Sequence, residues 1–365
     1  DQKNLLIAHA DAGGQTALLN ACEGGNVQIF DLLRQHGAAI DVRNVMDKTA
    51  LILATISGSV SIVLRLLDAD LIIGADFINL VDVNGNSAIH FACYRGFFNL
   101  VVLFMTKGAN PVIQDRYGSN ALHHAVVGSQ IPIIEFLLTT TGLANPTAGL
   151  TRPVDLTFLN QRDAAGRTPL FHAVNFGNEA LFNSLTNWGA DLSVIDFGGH
   201  TILMAAVSKQ SLLLTQRIVE RLVSLYGQNF FRTYVNLMSV NHMTAFCMAV
   251  YVNHLPIVQL LRAHGADVTI GDRELSPPLT IAAAHGYFDL VNLLLPPAPP
   301  FPPGYAGSDM QRRDLEFINM RNVQGITAIC MATAFHRVDI VERLLQSGAD
   351  ATLPSSQGTT PLIQA

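Results

Sequence analysis

Asp163-Ala164-Ala165-Gly166-Arg167-Thr168-Pro169-Leu170, followed by Ala173, Gly177 and Gly189-Ala190-Asp191, is the stretch that decides the fold. The Asp and Gly suit a tight turn, Gly because it takes backbone angles that other residues avoid. Thr168-Pro169 suits a helix start, where Thr can cap and Pro has no donor to lose. Ala173 is small enough to let two helices approach, and Gly189 suits a helix end. The same skeleton begins at Asp11, with Gly14, Thr16, Leu18, Ala21, Gly25 and Gly37-Ala38. It begins again at Asp82, with Gly85, Ala88, Ile89, His90, Ala92, Gly96 and Gly108-Ala109-Asn110. Further copies start near Asn44, Asp115, Asp196, Ser239, Asp272 and Asn322, and a truncated one near Ser355. Adjacent starts often lie 33 residues apart, as from 11 to 44 and from 322 to 355.

This pattern resembles the ankyrin repeat, a 33-residue turn-plus-two-helices unit with a T-P-L-H-x-A core. The resemblance implies an all-α solenoid of helix-turn-helix units with short β-turn fingers, a single array over residues 1–365. Paired aliphatics such as Leu66-Leu67, Leu137-Leu138, Leu260-Leu261 and Leu344-Leu345 would bury the second helix. The family's His is kept only at His90 and His123, its Pro only at Pro169, Pro278 and Pro361. Asp47, His242 and Leu275 replace the turn glycine in three copies.

A second period overlies the first. Copies starting at 11, 82, 163, 239 and 322 end in Gly-Ala, while those between them (44–81, 115–162, 196–238, 272–321) are longer. The long copies all end alike: Phe77-Ile78-Asn79, Phe158-Leu159-Asn160, Tyr234-Val235-Asn236 and Phe317-Ile318-Asn319. Duplication of a two-repeat unit explains this. The extra residues are expected to be loops after the second helix, each anchored by a buried aromatic. Neither end supplies a polar cap, and the chain reads as a fragment of a longer protein or an array capped by a partner.

Composition narrows the function. The 365 residues are 49% hydrophobic and 14% charged, which excludes disorder, and a net charge of −6 argues against a nucleic-acid partner. Apolar runs such as Phe97 to Met105 are too short to span a bilayer. Four scattered cysteines suit a reducing compartment, so the expected location is cytoplasmic, the nucleus not excluded.

No catalytic residue, metal site or cofactor is expected. Twelve histidines include the doublet His123-His124, but no H-x-x-x-H, H-E-x-x-H or C-x-x-C occurs. Cys22 and Cys93 share one repeat position, and Cys247 and Cys330 another, which reads as core packing. No phosphate-cradling loop or nucleophile elbow is present, and no small-molecule substrate is evident. A proline-rich segment, 296–305, lies inside the insertion 296–316. It reads as a stiff spacer, and within it Pro302, Pro303 and Tyr305 resemble the P-P-x-Y ligand of WW domains.

In ankyrin arrays partners usually bind along the fingers and first helices. The resemblance puts Tyr94, Arg95, Arg116, Tyr117, Arg167, Phe176, Phe197 and His200 on that face. Aromatics and Arg dominate interface hot spots, and the Arg and Lys there reverse the sign of the whole chain. The reading is a scaffold or adaptor that binds an acidic, apolar-containing protein segment, extended or helical. The alternatives are a regulatory or targeting module of a larger enzyme, channel or microbial effector, or a structural subunit of a large assembly.

Overall fold

Short polar side chains start most helices of this protein. In the computed structural model, which describes residues 9–68, 76–140, 155–296 and 307–361, the hydroxyls of Thr16, Thr49, Thr168, Thr201, Thr244 and Thr327 each accept the backbone N–H three residues on. Such caps satisfy one of the orphan donors at a helix start. Asn120 does the same work in its copy, and Pro169 and Pro278 occupy the first helical turn.

The chain divides into two compact units, Asp1–Asp191 and Leu192–Ala365. In the first, helices come in pairs: α1 (Ala17–Glu23) with α2 (Val27–Gln35), α3 (Ala50–Ile56) with α4 (Val60–Leu66), and α5 (Ala88–Arg95) with α6 (Phe98–Thr106). Then come α7 (Ala121–Val127) with α8 (Ile131–Thr140), a short α9 (Leu156–Leu159), and α10 (Pro169–Asn175) with α11 (Glu179–Asn187). The second unit pairs α12 (Ile202–Ser208) with α13 (Leu212–Tyr234), α14 (Ala245–Tyr251) with α15 (Leu255–Ala263), and α16 (Pro278–His285) with α17 (Phe288–Leu294). It ends with α18 (Asp309–Ile318) and the pair α19 (Ala328–Ala334) and α20 (Val338–Gln346). The described residues contain no strand beyond isolated bridges such as Arg43 to Thr49. The fold is an all-α solenoid of helix-turn-helix units with short turn fingers.

First helices pack on first helices: α1, α3, α5, α7 and α10 form one layer in the first unit, and α12, α14, α16 and α19 another in the second. Their small residues allow this: Ala54, Ala92, Ala125 and Ala173 are fully buried, as are Ala206, Ala249, Ala282 and Ala332. Leu66, Leu137, Leu261 and Leu344 bury the second helices. Cys22, Cys93, Cys247 and Cys330 are buried thiols, and burial pushes Cys22 up to about 12 and Cys247 to about 11.

The fingers repeat one geometry. Oδ1 of Asp115 accepts the N–H of Tyr117 and Ser119, and Oδ1 of Asp163 those of Ala165 and Arg167. Successive fingers are then joined through backbone: Val83 N–H to Met46 O, Arg116 N–H to Asn84 O, and Ala164 N–H to Tyr117 O. At Gly118, with φ +74°, a Cβ would stand 2.4 Å from Ala164 N, so only glycine permits this approach. Where glycine is missing, Asp47, His242 and Leu275 hold the same turn at φ 54°, 57° and 55°.

Two expectations about the insertions need correction. Two of the insertions are not simply loops, and most of the other two, 69–75 and 141–154, lies outside the described residues. The insertion in 196–238 is α13, a continuation of the second helix with a break at Gly227 (φ 83°, ψ 164°). Its run Leu214, Ile218, Val219, Leu222, then Phe231 and Tyr234, has helical spacing and is buried. The insertion before Asn322 likewise ends in α18. Phe77, Phe158 and Tyr234 are buried, but Phe317 is only half-buried, and Ile318 takes the core position beside it.

The asparagine after each aromatic has a role the aromatic overshadowed. Oδ1 of Asn79, Asn160, Asn236 and Asn319 accepts the backbone N–H of Asn110, Asp191, Asp267 and Asp350, at 2.7–2.9 Å. Each donor lies 31 residues on, in the Gly-Ala corner that closes the next copy.

Candidate partner-binding cleft of the first unit

Adjacent residues on a helix point to different sides, and the doublet on α7 shows it. His123 is fully buried, whereas His124 is half-buried. His90 and His123 are structural. Nδ1 of His90 accepts the Ser87 N–H, and its Nε2 donates to Ile113 O, both at 3.0 Å. His123 lies likewise between the Asn120 N–H and Arg167 O. Burial pulls both imidazoles down to about 4, so they are neutral at pH 7. Cys247 fills the same position three copies after His123, its thiol donating to Ile270 O at 3.0 Å.

His124 and His172 face outward from α7 and α10. Each lies nine residues after the aspartate that opens its finger and donates to that aspartate's second oxygen, at 3.0 Å to Asp115 and 2.8 Å to Asp163. Burial pushes these carboxyls up, but the imidazole bonds and the turn amides outweigh it and hold both below the usual carboxylate range. The rings interlock across copies: His90 meets His124 edge-on at 4.9 Å between centroids, and His123 meets His172 at 5.7 Å.

These pairs floor a cleft of about 420 Å³. Phe91, Tyr94 and Val127 from α5 and α7, and Tyr117 from a finger, supply its apolar lining; Asn86 and Ser119 add polar edges. Tyr94 is seated against Gly128, where a Cβ would come within 2.2 Å of the Tyr94 carbonyl oxygen. Tyr117 is fixed by the finger backbone and is 62% exposed. The Arg116 guanidinium lies 5.1 Å from the centre of the Tyr117 ring and bonds Asn84 Oδ1 at 3.0 Å.

Of the eight residues the sequence points to, Tyr94 and Tyr117 line this cleft, and Arg116 flanks it on the Tyr117 ring. Arg95 is exposed beside Tyr94, and Arg167 is half-buried with its guanidinium 5.4 Å from the Phe171 ring centre. Phe176 caps α10, exposed but not in the lining. Phe197 and His200 belong to the second unit. Phe197 is 69% exposed, and His200 Nδ1 lies 3.1 Å from Asp196 Oδ1. Pro302, Pro303 and Tyr305 lie outside the described residues, as does most of the proline-rich segment. Among the lining residues outside those eight are Phe91, His124 and His172. All three stand nine residues after a finger-opening Asp, in consecutive copies. That recurrence is the signal that identifies them.

Among the described residues no group of three or more His, Cys, Asp and Glu is arranged to hold a metal ion, and no helix is long and apolar enough to cross a membrane.

With the repeated helix pairs and fingers in view, the class of protein is that of helical-repeat interaction domains. The family model for ankyrin repeats matches three times, over residues 3–76, 69–148 and 215–301, and the chain belongs to the ankyrin repeat family. It is 30% identical over 215 residues to the mouse (Mus musculus) B-cell lymphoma 3 protein homolog, covering 58% of this chain and 43% of that one. It is 26% identical over 290 residues to human (Homo sapiens) transient receptor potential cation channel subfamily A member 1, covering 80% and 24%. It is 24% identical over 313 residues to the phosphocholine transferase AnkX of Legionella pneumophila, covering 78% and 31%. The chain spans less than half the length of these curated relatives. As a family, ankyrin repeats are protein-binding modules and generally not enzymes.

Proposed function

We propose that this chain is a non-enzymatic scaffold whose fingers and first helices grip an acidic, apolar-containing segment of a partner protein. The observation that carries the reading is the cleft of the first unit: exposed Tyr94 and Tyr117 rings, with the Arg116 guanidinium against one of them. Rings offer apolar anchor area, and guanidinium forks suit carboxylates. Arg95 and Arg167 extend the positive character through neighbouring copies, and Phe176 is offered as a further contact; Phe197 and His200 are offered as contacts of the second unit taken by itself. The working location is the cytoplasm or nucleus, and nucleic acid is not among the proposed ligands.

Affinity capture with mass spectrometry tests this, using the whole chain and the double variant Arg116→Glu, Arg167→Glu. Charge at such a surface mainly governs association rate and partner choice. Capture should therefore fall in the variant, and fall more at low salt, where screening is least. Helical circular dichroism should be unchanged. Unchanged capture by a folded variant would refute the arginine face.

The relatives favour one second reading. They include a channel and a transferase, and this chain matches only part of each. On that reading the array is the partner-reading module of a larger protein, with the same cleft as its contact surface. Full-length sequence carrying a catalytic or membrane segment would decide for it.

A further inference from the structure

We infer that the cleft of the first unit is a socket for an indole side chain flanked by carboxylates, that is, for a tryptophan set among acidic residues in the partner. This rests on the partner-binding reading above and specifies its anchor.

The polar atoms of the cleft decide the guest. Asp115 and Asp163 are already satisfied: one oxygen of each takes two finger amides, the other an imidazole N–H. Asn86 differs. Its Oδ1 is sealed from water and is the one buried side-chain N or O atom among the described residues without a hydrogen-bond partner. An orphan acceptor of this kind is costly, and its place beside a cleft points to a missing donor. The last torsion of an asparagine side chain is soft, so the oxygen can swing toward a donor seated in the cleft.

Donor-bearing guests can then be compared. Phenylalanine fills apolar space but leaves Asn86 unpaired. A phenol brings lone pairs that this acceptor-rich end does not satisfy. An ammonium would feel the floor carboxylates and the tyrosine faces, but those carboxylates already hold their own donors, and its three N–H groups would lose their water among Phe91 and Val127 with one open acceptor to receive them. Indole alone combines a large apolar body with a single donor and no acceptor. The cleft volume of about 420 Å³ falls in the ~300–1,000 Å³ range of pockets that hold organic groups. Carboxylates on either side of the indole would meet Arg116 and Arg95.

The test is fluorescence anisotropy with the full chain and a fluorescein-labelled pentapeptide, tryptophan between two pairs of glutamates. Companion peptides carry phenylalanine, lysine or alanine at the centre. The tryptophan peptide should bind roughly tenfold tighter than the phenylalanine peptide, the worth of one hydrogen bond to an otherwise orphaned acceptor. Asn86→Ala should bring that preference below about threefold without unfolding the chain, because the Asn86 side-chain oxygen bonds nothing in the protein. Tyr94→Ala should weaken the tryptophan peptide by about tenfold or more.

The socket is overturned by any of four results: equal binding of the tryptophan and phenylalanine peptides, a preference that survives Asn86→Ala, tightest binding by the lysine peptide, or no saturable binding of the tryptophan peptide up to about 1 mM. The two claims separate cleanly. Partner capture that depends on Arg116 and Arg167, with no tryptophan preference, would sink the socket and leave the arginine face standing. A tryptophan preference that Asn86→Ala abolishes, with capture indifferent to both arginines, would do the reverse.

Discussion

Acid should destabilise this protein through two buried histidines. The perturbation is a shift from pH 7.5 to 5.0. His90 and His123 are fully buried and spend both ring nitrogens inside the fold, one on a helix-start N–H and one on a backbone carbonyl. Burial lowers them from the ordinary value of 6.5 to about 4, with the neighbouring imidazoles His124 and His172 acting in the same direction. On acidification the unfolded chain therefore takes up protons near pH 6.5, while the folded chain resists until about 4. The unfolded state binds more protons throughout that window, so stability falls as pH falls. At pH 5.0 the loss is about 2 kcal/mol per histidine and about 4 kcal/mol for the pair. Asp115 and Asp163 sit below the usual carboxylate value, so their own loss begins only under about pH 3.8 and stays outside the window. The chain itself suggests the control, because Cys247 occupies the same position and bonds Ile270 O, the counterpart of the Ile113 O that His90 bonds. Urea unfolding followed by circular dichroism should show the acid loss in the native chain and cut it by more than half in His90→Cys, His123→Cys. An equal loss in both proteins would refute the argument, for it would place the proton uptake on other groups.

The remaining expectations concern stability. Asn79→Ala should cost about 1 kcal/mol, the net worth of a typical hydrogen bond, read as a lower urea midpoint; no change would show that the bond from Asn110 N–H does not fasten the neighbouring copies. Phe158→Ala should cost about 3–5 kcal/mol as a fully buried ring, and Phe317→Ala far less, because Ile318 holds that core position; the thermal midpoints of the two variants should rank accordingly. Leu275→Gly should raise stability by about 0.5–1 kcal/mol, since Leu at φ 55° is strained where glycine is not, and a fall in midpoint would show that the Leu275 side chain contributes more than its backbone costs.

Much of this architecture was legible because its signals are local. The finger-opening Asp, the Thr cap and the positive-φ glycine act within a few residues, so they can be seen in a bare sequence and recur at a fixed interval. The insertions depart from the sequence expectation for a physical reason. Gly227 in the run from Leu212 to Tyr234 reads as a loop residue, yet amphipathic segments on both sides of it bury one face each and remain helical. The aromatic of each triplet stands out by its size, whereas the asparagine beside it makes a bond that reaches 31 residues ahead. The recurrence of the asparagine marks the position, but nothing within the triplet names a partner so far along the chain.

The cleft was half legible for a related reason. Tyr94 and Tyr117 stand out as exposed-type rings at finger and helix-end positions. The doublet His123-His124 invites a single reading, structural or chemical, but a helix turns about 100° between neighbours, and the two side chains do different work. His123 closes the seam between copies, and His124 with His172 floors the cleft. The insertions, for their part, all follow second helices, while the fingers remain joined by backbone hydrogen bonds, as at Arg116 to Asn84 and Ala164 to Tyr117. Lengthening a copy behind the second helix costs little, since loop-closure entropy grows slowly with length, provided the register is restored before the next finger. The Asn79 bond restores it ahead of the copy starting at 82, and the Asn160 bond between the cleft-forming copies starting at 115 and 163. Such a clamp lets insertion length vary without moving Asp163 and His172 relative to Tyr117, so a binding face of fixed geometry can coexist with insertions of unequal size.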